Sequence, residues 1–310
     1  MRAIALTEYG EPDVLTTHSL PEPLVCYDQV LIDVHGAGVN PVDTKIRQGF
    51  LQQLIPNNIP LIPGWEVAGI VAKVGTAVTQ FRAGDKVYGY IRKDHIQDGA
   101  YAEQVAADEL VLAHAPSSLD LVHAAALPLA GLTALQALQA AQVSQDDVVL
   151  IHAAAGGVGH LAIQLARILG ARVIGTASER NHEYLRALGA EPLRYGPELP
   201  NELKTLIGPA TKVDAVLDLV GGEALEQSLG LVSTPGRLVS IVDGTRVREL
   251  GGIHVFVRHG AEQLSWLGEL IDKGELKLEV QHVFPLEEAA QAHRVLEEGH
   301  TRGKIVLKVR

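Results

Sequence analysis

Cysteine is nearly absent from this sequence, since Cys26 is the only one among 310 residues. One cysteine forms neither an internal disulfide nor a zinc site made of several thiolates. The N-terminus carries Arg2 too early for the apolar core of a signal peptide, which predicts a cytoplasmic protein. Residues 121–135 form the most apolar stretch, but it is shorter than the roughly 20 residues that span a bilayer.

Aromatic residues and positive charge are also scarce. Only 4% of the residues are aromatic, so the core must consist mainly of Ala, Val, Leu and Ile, and the 31 glycines suit an α/β protein rich in turns. The formal net charge of −11 argues against nucleic acid or an anionic membrane as the main partner, although a local basic pocket stays open. Hydrophobic residues at 47% and charged residues at 20% are typical of a folded globular protein.

The hydrophobic pattern changes along the chain. Up to about residue 118, short alternating runs with turn residues predict a mostly β region. From about residue 124, apolar β-branched runs alternate with Ala/Leu-rich helical periods, which predicts a parallel, doubly wound sheet covered by helices on both faces. The predicted parallel strands are 148–152, 172–176, 213–220 and 237–242. The strand-like segment 303–309 ends the sequence, and we expect it to return to the first domain.

A glycine-rich loop at 153–159 follows the first of these parallel strands and precedes a helix. Gly156 and Gly159 take the second and third glycine positions of a dinucleotide fingerprint, and Ala154 takes the first. The helix N-terminus supplies N–H groups for a pyrophosphate. The alternatives are a turn without ligand, and a nucleoside triphosphate loop, which lacks its Gly-Lys-Ser/Thr ending here. The loop residues predicted to contact the cofactor are Ala155, Gly156, Gly157, Val158 and Gly159.

The end of the second parallel strand indicates which nicotinamide cofactor binds. NAD enzymes place a carboxylate there, about 20 residues after the loop. Ser178 and Arg180 instead offer a hydroxyl and a guanidinium, which favours the 2′-phosphate of NADPH. Glu179 between them keeps NAD open. Tyr195 follows the presumed third strand, where it either packs on the adenosine phosphate or is an ordinary surface residue, and Arg180 is alternatively a solvated residue at a helix start.

Several motifs occur in a fixed order along the chain, at 10–15, 38–43, 63–69, 127–128, 131–134, 153–159 and 302–306. Together they resemble the medium-chain dehydrogenase/reductase superfamily, specifically its zinc-free quinone oxidoreductase branch. The resemblance covers essentially the whole chain. It implies a GroES-like, mostly β catalytic domain formed by residues 1–120 and 258–310, a Rossmann NADP-binding domain at 121–257, and an active site in the cleft. It also implies a homodimer, in which an edge strand near 253–257 extends the sheet across a two-fold axis.

The same resemblance argues against a catalytic metal. Zinc-dependent members carry a cysteine where this chain has Asn40 and a histidine where it has Trp65. Catalytic zinc needs about three protein ligands, and the 13 histidines include no His-Glu-x-x-His pair. Without Lewis-acid polarisation, conjugated acceptors are easier substrates than alcohols. We therefore expect NADPH-dependent reduction of a quinone or an α,β-unsaturated carbonyl.

Three alternatives to quinone reduction stay open at this point. The first is an enone or alkenal double-bond reductase, whose relatives resemble this chain in the segment from Asn40 to Lys45. The second is a non-catalytic NADPH-binding protein. The weakest is a zinc alcohol dehydrogenase.

The resemblance also implies roles for individual residues near the reacting centre. Asn40 corresponds to a residue near the nicotinamide, or else it is a plain turn residue before Pro41. Lys45 is expected to polarise the substrate oxygen or to pair with a cofactor phosphate. Thr133 is expected to hold the nicotinamide ribose or carboxamide, with helix packing as the alternative.

Further cofactor contacts are expected at the carboxyl ends of the later parallel strands and at the C-terminus. A solvent-exposed strand-edge residue is the alternative for Lys304. Two aromatic residues, Trp65 and Tyr90, either form a wall against a flat acceptor or fill the core. The implied cofactor contacts are Asp218, Val220, Ile241, His254, Phe256, Val257 and Lys304.

Overall fold

The computed structural model describes residues 1–208 and 212–310. Its strands are β1 (Arg2–Ala5), β2 (Thr16–Ser19), β3 (Gln29–Val39), β4 (Asn57–Ile62), β5 (Glu66–Val74), β6 (Lys86–Tyr90), β7 (Ile96–Asp98), β8 (Gln104–Asp108), β9 (Leu112–His114), β10 (Val148–Ile151), β11 (Arg172–Ala177), β12 (Glu191–Arg194), β13 (Ala215–Asp218), β14 (Leu238–Ser240), β15 (Ile253–His254), β16 (Val280–Pro285) and β17 (Lys304–Lys308).

The helices are mostly short and lie between these strands. They are α1 (Pro41–Arg47), α2 (Leu121–Ala124), α3 (Pro128–Ala140), α4 (Gly159–Ile168), α5 (His182–Ala187), α6 (Leu199–Ile207), α7 (Gly222–Leu231), α8 (Gly244–Glu249), α9 (Ala261–Asp272) and α10 (Ala289–Glu297). Short 3-10 helices lie at Pro12–Val14, Glu109–Val111, Glu179–Asn181, Pro235–Arg237 and Leu286–Glu288. In the described part of the chain, no helix combines the length and the apolar character that crossing a bilayer requires.

The chain divides into two compact units, one formed by Met1–Leu129 with His259–Arg310 and the other by Ala130–Arg258. The predicted boundary at residue 120 therefore lies too early. Residues 121–129 belong to the first unit because α2 packs directly on β3. At Gly36 of β3, an added Cβ would lie 2.8 Å from the carbonyl oxygen of Val122 in α2, so this contact is close at the backbone level.

The first unit is built on a seven-stranded sheet in the order β16-β17-β3-β5-β6-β9, with β8 also pairing to β3. The pairings are antiparallel except for β16 with β17. Ile305 pairs with Val39, and Ala37 pairs with Val67. The end of β3 and the starts of β5 and β17 therefore lie side by side at one end of these strands. The buried polar cluster described in the next section lies there.

The second unit is a six-stranded parallel sheet in the order β12-β11-β10-β13-β14-β15. Numbered by their occurrence in this unit, the strands follow the Rossmann order 3-2-1-4-5-6. Leu150, Ile174, Val216 and Leu238 pair with one another in register and are fully buried on one face of the sheet. The residues at alternate positions, on the other face, are also buried, which confirms the prediction of a parallel sheet covered on both faces; they are Val149, Val173, Leu217 and Val239. The order reverses between β10 and β13, and ligands of such sheets bind beyond the carboxyl ends of the strands at this point.

Candidate functional site

The glycine-rich loop lies at the carboxyl end of β10, where the sheet order reverses. At Gly159, the first residue of α4, an added Cβ would lie 2.5 Å from the carbonyl oxygen of Ala153 and 2.7 Å from the Cα of Ala154. At Gly156, an added Cβ would meet only the Ala153 carbonyl oxygen, at 3.3 Å. Gly159 thus lets the helix pack closely against its strand, whereas Gly156 leaves open space in front of the loop. This shape fits a dinucleotide pyrophosphate at the helix N-terminus.

Ala154 takes the first glycine position of the fingerprint without disturbing the turn. Its N–H donates a 3.0 Å hydrogen bond to the carbonyl oxygen of Thr176 in β11. Its methyl group lies where a side chain at Gly175 would stand, since a Cβ added there would be 2.7 Å from the Ala154 Cβ. The glycine missing from the loop is therefore compensated by a glycine in the neighbouring strand. Ala153, with a φ of 47°, adopts the left-handed conformation that the turn requires.

The carboxyl ends of β11 and β12 carry the residues predicted to recognise the adenosine phosphate. Ser178 is half-buried at the end of β11, and Arg180 is exposed in the 3-10 helix that follows. Tyr195 is 61% exposed, directly after β12. Arg194 also lies here, because it pairs in register with Ala177 and its guanidinium is 3.5 Å from Glu179. Sequence reasoning missed Arg194, since only the strand pairing places it beside residues far away in the chain.

Asp218, the last residue of β13, holds the loop that follows it. Its buried carboxylate accepts hydrogen bonds from the N–H groups of Val220 (3.1 Å) and Gly221 (2.8 Å) and from the Ser240 hydroxyl (2.6 Å). Val220 is thereby held at the carboxyl edge with half of its surface exposed. The structure thus shows Asp218 shaping the loop beside β14, and a direct cofactor contact by Asp218 stays a prediction.

The remaining predicted cofactor residues follow β14 or belong to β15 and its extension. Ile241 is half-buried, and its N–H donates to the carbonyl oxygen of Asp218 at 3.2 Å. His254 in β15 lies next to Gly244, where an added Cβ would be 2.7 Å from its Nδ1 atom. Phe256 is 51% exposed and Val257 is half-buried. These four residues therefore lie at or beyond the carboxyl ends of β14 and β15, in the half of the Rossmann sheet that contains β13.

In the first unit, Asn40, Glu66 and Lys304 form a buried polar cluster. The Nζ atom of Lys304 is 2.6 Å from Glu66 Oε1 and also donates to the side-chain oxygen of Asn40. The Asn40 amide donates to the same Glu66 oxygen at 2.8 Å, and the second oxygen of Glu66 accepts from the backbone N–H of Leu129 at 2.7 Å. All three side chains are at most 4% exposed. Lys304 is therefore not the solvated strand-edge lysine that the sequence left open, and the cofactor contact expected of it stays a prediction.

Local sequence explains why these side chains meet. Asn40 precedes Pro41 at the start of α1, and its backbone N–H donates to the Asp43 carboxylate at 2.8 Å, which fixes the first turn of the helix. Gly38 provides the space for Glu66, because a Cβ at Gly38 would lie 2.0 Å from Glu66 Oε1. Sequence reasoning missed Glu66, whose signal is a charged residue within the otherwise apolar segment after Trp65.

Asp43 lies beneath this cluster with no exposed surface. Its carboxylate also accepts from the Gly64 N–H at 3.2 Å. Burial raises the pKa of Asp43 to about 7, an effect that the two backbone hydrogen bonds and Lys304 oppose. Next to it, Tyr101 hydrogen-bonds His293 at 3.1 Å, and burial lowers the pKa of His293 to about 3. Asp43, Tyr101 and His293 are thus three fully buried titratable residues of the first unit, close to the cluster of Asn40, Glu66 and Lys304.

The other predicted catalytic residues are placed differently. Lys45 is exposed on α1, so its side chain is accessible to a ligand. Thr133 is 4% exposed in α3 and belongs to the second unit. Trp65 and Tyr90 contact each other edge to face, with ring centroids 6.3 Å apart, and both are buried in the first unit. As placed, these two rings form part of the core.

Asn40 and Trp65, the two residues that the resemblance equates with zinc ligands, do not fit zinc. Trp65 offers no metal ligand, and the amide of Asn40 is bonded to Glu66 and to the ammonium of Lys304, which would repel a cation. Within residues 1–208 and 212–310, no group of three or more His, Cys, Asp or Glu side chains is arranged to hold a metal ion.

Comparisons with known proteins agree with this architecture. Residues 27–117 match the family described as alcohol dehydrogenase GroES-like domain, and residues 201–307 match the family described as zinc-binding dehydrogenase. A quinone oxidoreductase structure from Coxiella burnetii superposes with a TM-score of 0.90 at 41% identity and covers 100% of this chain and 99% of its own. An Escherichia coli quinone oxidoreductase complexed with NADPH gives a TM-score of 0.87 at 29% identity, with 100% of both chains covered.

A curated relative points to a related activity. The NADPH-dependent alkenal/one oxidoreductase of Arabidopsis thaliana chloroplasts is 34% identical over 99% of this chain and 79% of its own length. A GroES-like unit combined with a Rossmann unit defines the class of medium-chain dehydrogenases/reductases. Within that class, the chain belongs to the zinc-free quinone oxidoreductase family.

Proposed function

We propose that this protein is an NADPH-dependent, zinc-independent oxidoreductase that reduces quinones by hydride transfer. The observation that carries the proposal is a dinucleotide loop in a chain whose Asn40 side chain is bonded to Glu66 and to the buried ammonium of Lys304, instead of offering a zinc ligand. Similarity to quinone oxidoreductases, one of them solved with NADPH, supports the substrate class and the cofactor.

The second unit supplies the residues that would hold NADPH. The loop from Ala155 to Gly159 would bind the pyrophosphate through backbone N–H groups. Ser178, Arg180 and Tyr195 would bind the adenosine end. Thr133 and the carboxyl-edge residues would line the nicotinamide half; these are Asp218, Val220, Ile241, His254, Phe256 and Val257.

Bound NADPH would supply a hydride from C4 of its nicotinamide to an electrophilic carbon of the acceptor. The chain must then position the acceptor and stabilise the charge that develops on its oxygen. We propose that Lys45 provides this stabilisation, because its side chain is exposed on α1. Asn40, held from both sides by Glu66 and Lys304, would act as a fixed amide rather than as a proton carrier.

A second candidate reaction is reduction of the double bond of an enone or alkenal. The similarity to an alkenal/one oxidoreductase favours it. The roles proposed above for the residues that bind NADPH and position the acceptor are the same for this reaction. The two reactions differ in the acceptor atom that receives the hydride, so the products distinguish them.

The experiment follows the loss of reduced-nicotinamide absorbance with NADPH and with NADH, using 1,4-benzoquinone and a short 2-alkenal as parallel acceptors. The proposal predicts rapid oxidation of NADPH with the quinone, and slower oxidation of NADH. Turnover with the alkenal alone, with a saturated aldehyde as product, assigns the second reaction instead. Tight NADPH binding without turnover of either acceptor contradicts both.

We also propose a homodimer in the cytoplasm. β15 is the outer strand of the parallel sheet, and Ile253 on it is 38% exposed, which supports pairing with a second copy across a two-fold axis. Sedimentation at micromolar concentration tests the dimer, and a monomeric mass contradicts it.

The lone cysteine supports the cytoplasmic location, which cell fractionation tests.

A further inference from the structure

The acidic residue Glu179 stands between the two residues predicted to bind the 2′-phosphate of NADPH. A carboxylate at this edge of a Rossmann sheet favours ribose hydroxyls and repels a phosphate. Taken alone, Glu179 therefore favours NADH over NADPH. The structure places an additional charge beside it, and this charge changes the electrostatics of the edge.

Arg194 supplies that charge. It is the last residue of β12, and it pairs in register with Ala177, the last residue of the parallel strand β11. Because parallel strands end at the same edge of a sheet, the side chain of Arg194 emerges beside residues 178–180. Its Nη1 atom is 3.5 Å from Glu179 Oε1, and both side chains are more than two-thirds exposed, at 68% and 76%.

The ion pair is poorly suited to a role in stability. Exposed pairs of this kind contribute little to folding, because water screens them and ordering two long side chains costs entropy. The consequence of the pair is instead local charge. Among residues 178–180 and 194, the two guanidinium groups of Arg180 and Arg194 stand against the one carboxylate of Glu179. Without Arg194, the formal charges of these residues sum to zero.

We propose that Arg194 is a specificity-determining residue that selects NADPH over NADH. It neutralises Glu179, and together with Ser178 and Arg180 it presents a cationic edge to the 2′-phosphate. A guanidinium is well suited to this role because it matches the geometry of phosphate and stays charged at any physiological pH. The inference rests on the proposed NADPH dependence and extends it to a residue outside the predicted set.

The strands provide a matched control at their opposite ends. Arg172 begins β11 and Glu191 begins β12, and their side chains form an ion pair of 2.6 Å that is also exposed. This second pair belongs to the same two strands but lies at the amino end, away from the carboxyl edge. Replacing Arg172 therefore tests whether any effect comes from losing an exposed arginine of this sheet in general.

The test is calorimetric titration of the full-length protein with NADPH, NADH, 2′,5′-ADP and 5′-AMP. The two adenosine nucleotides differ by the 2′-phosphate and contain no nicotinamide, so they report on this edge alone. Arg194→Gln should weaken binding of NADPH and of 2′,5′-ADP about tenfold, while binding of NADH and 5′-AMP stays within about twofold. Arg172→Gln should change none of the four.

A second substitution tests the neutralising role. In the Arg194→Gln background, adding Glu179→Gln should restore part of the lost 2′,5′-ADP affinity, because the unpaired carboxylate no longer repels the phosphate. The inference is overturned if the unsubstituted protein prefers NADPH but Arg194→Gln retains that preference, or if NADPH and NADH weaken equally. If the unsubstituted protein binds NADH and 5′-AMP as tightly as their phosphorylated counterparts, the proposed NADPH dependence fails as well.

Discussion

Lys304 and Glu66 form an ion pair of 2.6 Å in which neither side chain is more than 4% exposed. The two residues are 238 positions apart in the chain and begin the strands β17 and β5, on either side of β3. Both residues also hydrogen-bond to the side chain of Asn40, which directly follows β3. The end of β3 is therefore held by residues of both neighbouring strands. Asn40, which stands where zinc-dependent members of the superfamily that the chain resembles carry a cysteine, is thus bonded to an ammonium that the chain itself provides.

Removing one partner of this pair should destabilise the protein strongly. Lys304→Met leaves Glu66 buried without its cation, and we expect a loss of about 3–5 kcal/mol in the free energy of unfolding. The double variant Lys304→Met/Glu66→Gln should lose less, because neither charge of the pair remains. Urea unfolding measures both.

Arg302→Gln serves as the control for that experiment, since Arg302 lies two residues before Lys304 and forms a partly exposed ion pair with Glu279. It should cost less than about 1 kcal/mol. A Lys304→Met variant that unfolds like this control would show that the buried pair does not fix the site.

Gly159→Ala should impair NADPH binding. Its Cβ would collide with the backbone of Ala153 and Ala154, which must shift and thereby move the loop that binds the pyrophosphate. We expect at least a tenfold rise in the Kd of NADPH, measured by fluorescence titration. Gly230→Ala is the matched control, because Gly230 lies in α7 and an added Cβ there meets nothing within 4 Å. That variant should bind NADPH normally and gain up to about 1 kcal/mol of stability.

Asp218→Asn should loosen the loop after β13. An amide retains one oxygen, so it cannot accept from the Gly221 N–H and from the Ser240 hydroxyl as the two carboxylate oxygens do. We expect a loss of about 1–3 kcal/mol of stability and weaker NADPH binding. Ser240→Ala, which removes a neutral partner, should have the smaller effect. Equal thermal unfolding of Asp218→Asn and the unsubstituted protein would contradict this role.

Acid should destabilise the protein partly through His293. Burial lowers the pKa of His293 to about 3, below the unfolded value of about 6.5. Its contribution to stability is therefore present above pH 6.5 and is lost as the pH falls toward 3. Between pH 7 and pH 5 this amounts to about 2 kcal/mol.

Comparing the unsubstituted protein with His293→Gln isolates this contribution. His152, whose pKa burial lowers to about 4, and Asp43, whose raised pKa acts in the opposite direction, are present in both proteins. Unfolding at pH 7 and pH 5 should show a smaller acid-induced loss in the variant. An identical pH dependence of the two proteins would rule out His293 as a contributor.

The sequence predicted the parallel sheet and the glycine loop because both are local patterns. An apolar β-branched run indicates a strand covered on both faces, and Gly156 and Gly159 follow one directly. What it did not predict depends on contacts between distant segments. The partner of Lys304 becomes visible only when β17 is placed beside β3, and Arg194 approaches Glu179 only through the pairing of β12 with β11.

The domain boundary shows the same limit. Residue 120 marks a change in composition, but α2 after it packs on β3 and belongs to the first unit. Composition reports what a segment is made of, whereas the unit to which a short helix belongs depends on the surface against which it packs.

The most direct test is the rate of NADPH oxidation by 1,4-benzoquinone before and after removal of bound metal with a chelator, with the zinc content measured in both samples. A zinc-independent quinone reductase predicts equal rates in the two samples. Loss of activity on chelation that zinc alone restores, or oxidation of alcohols in place of quinone reduction, would contradict it.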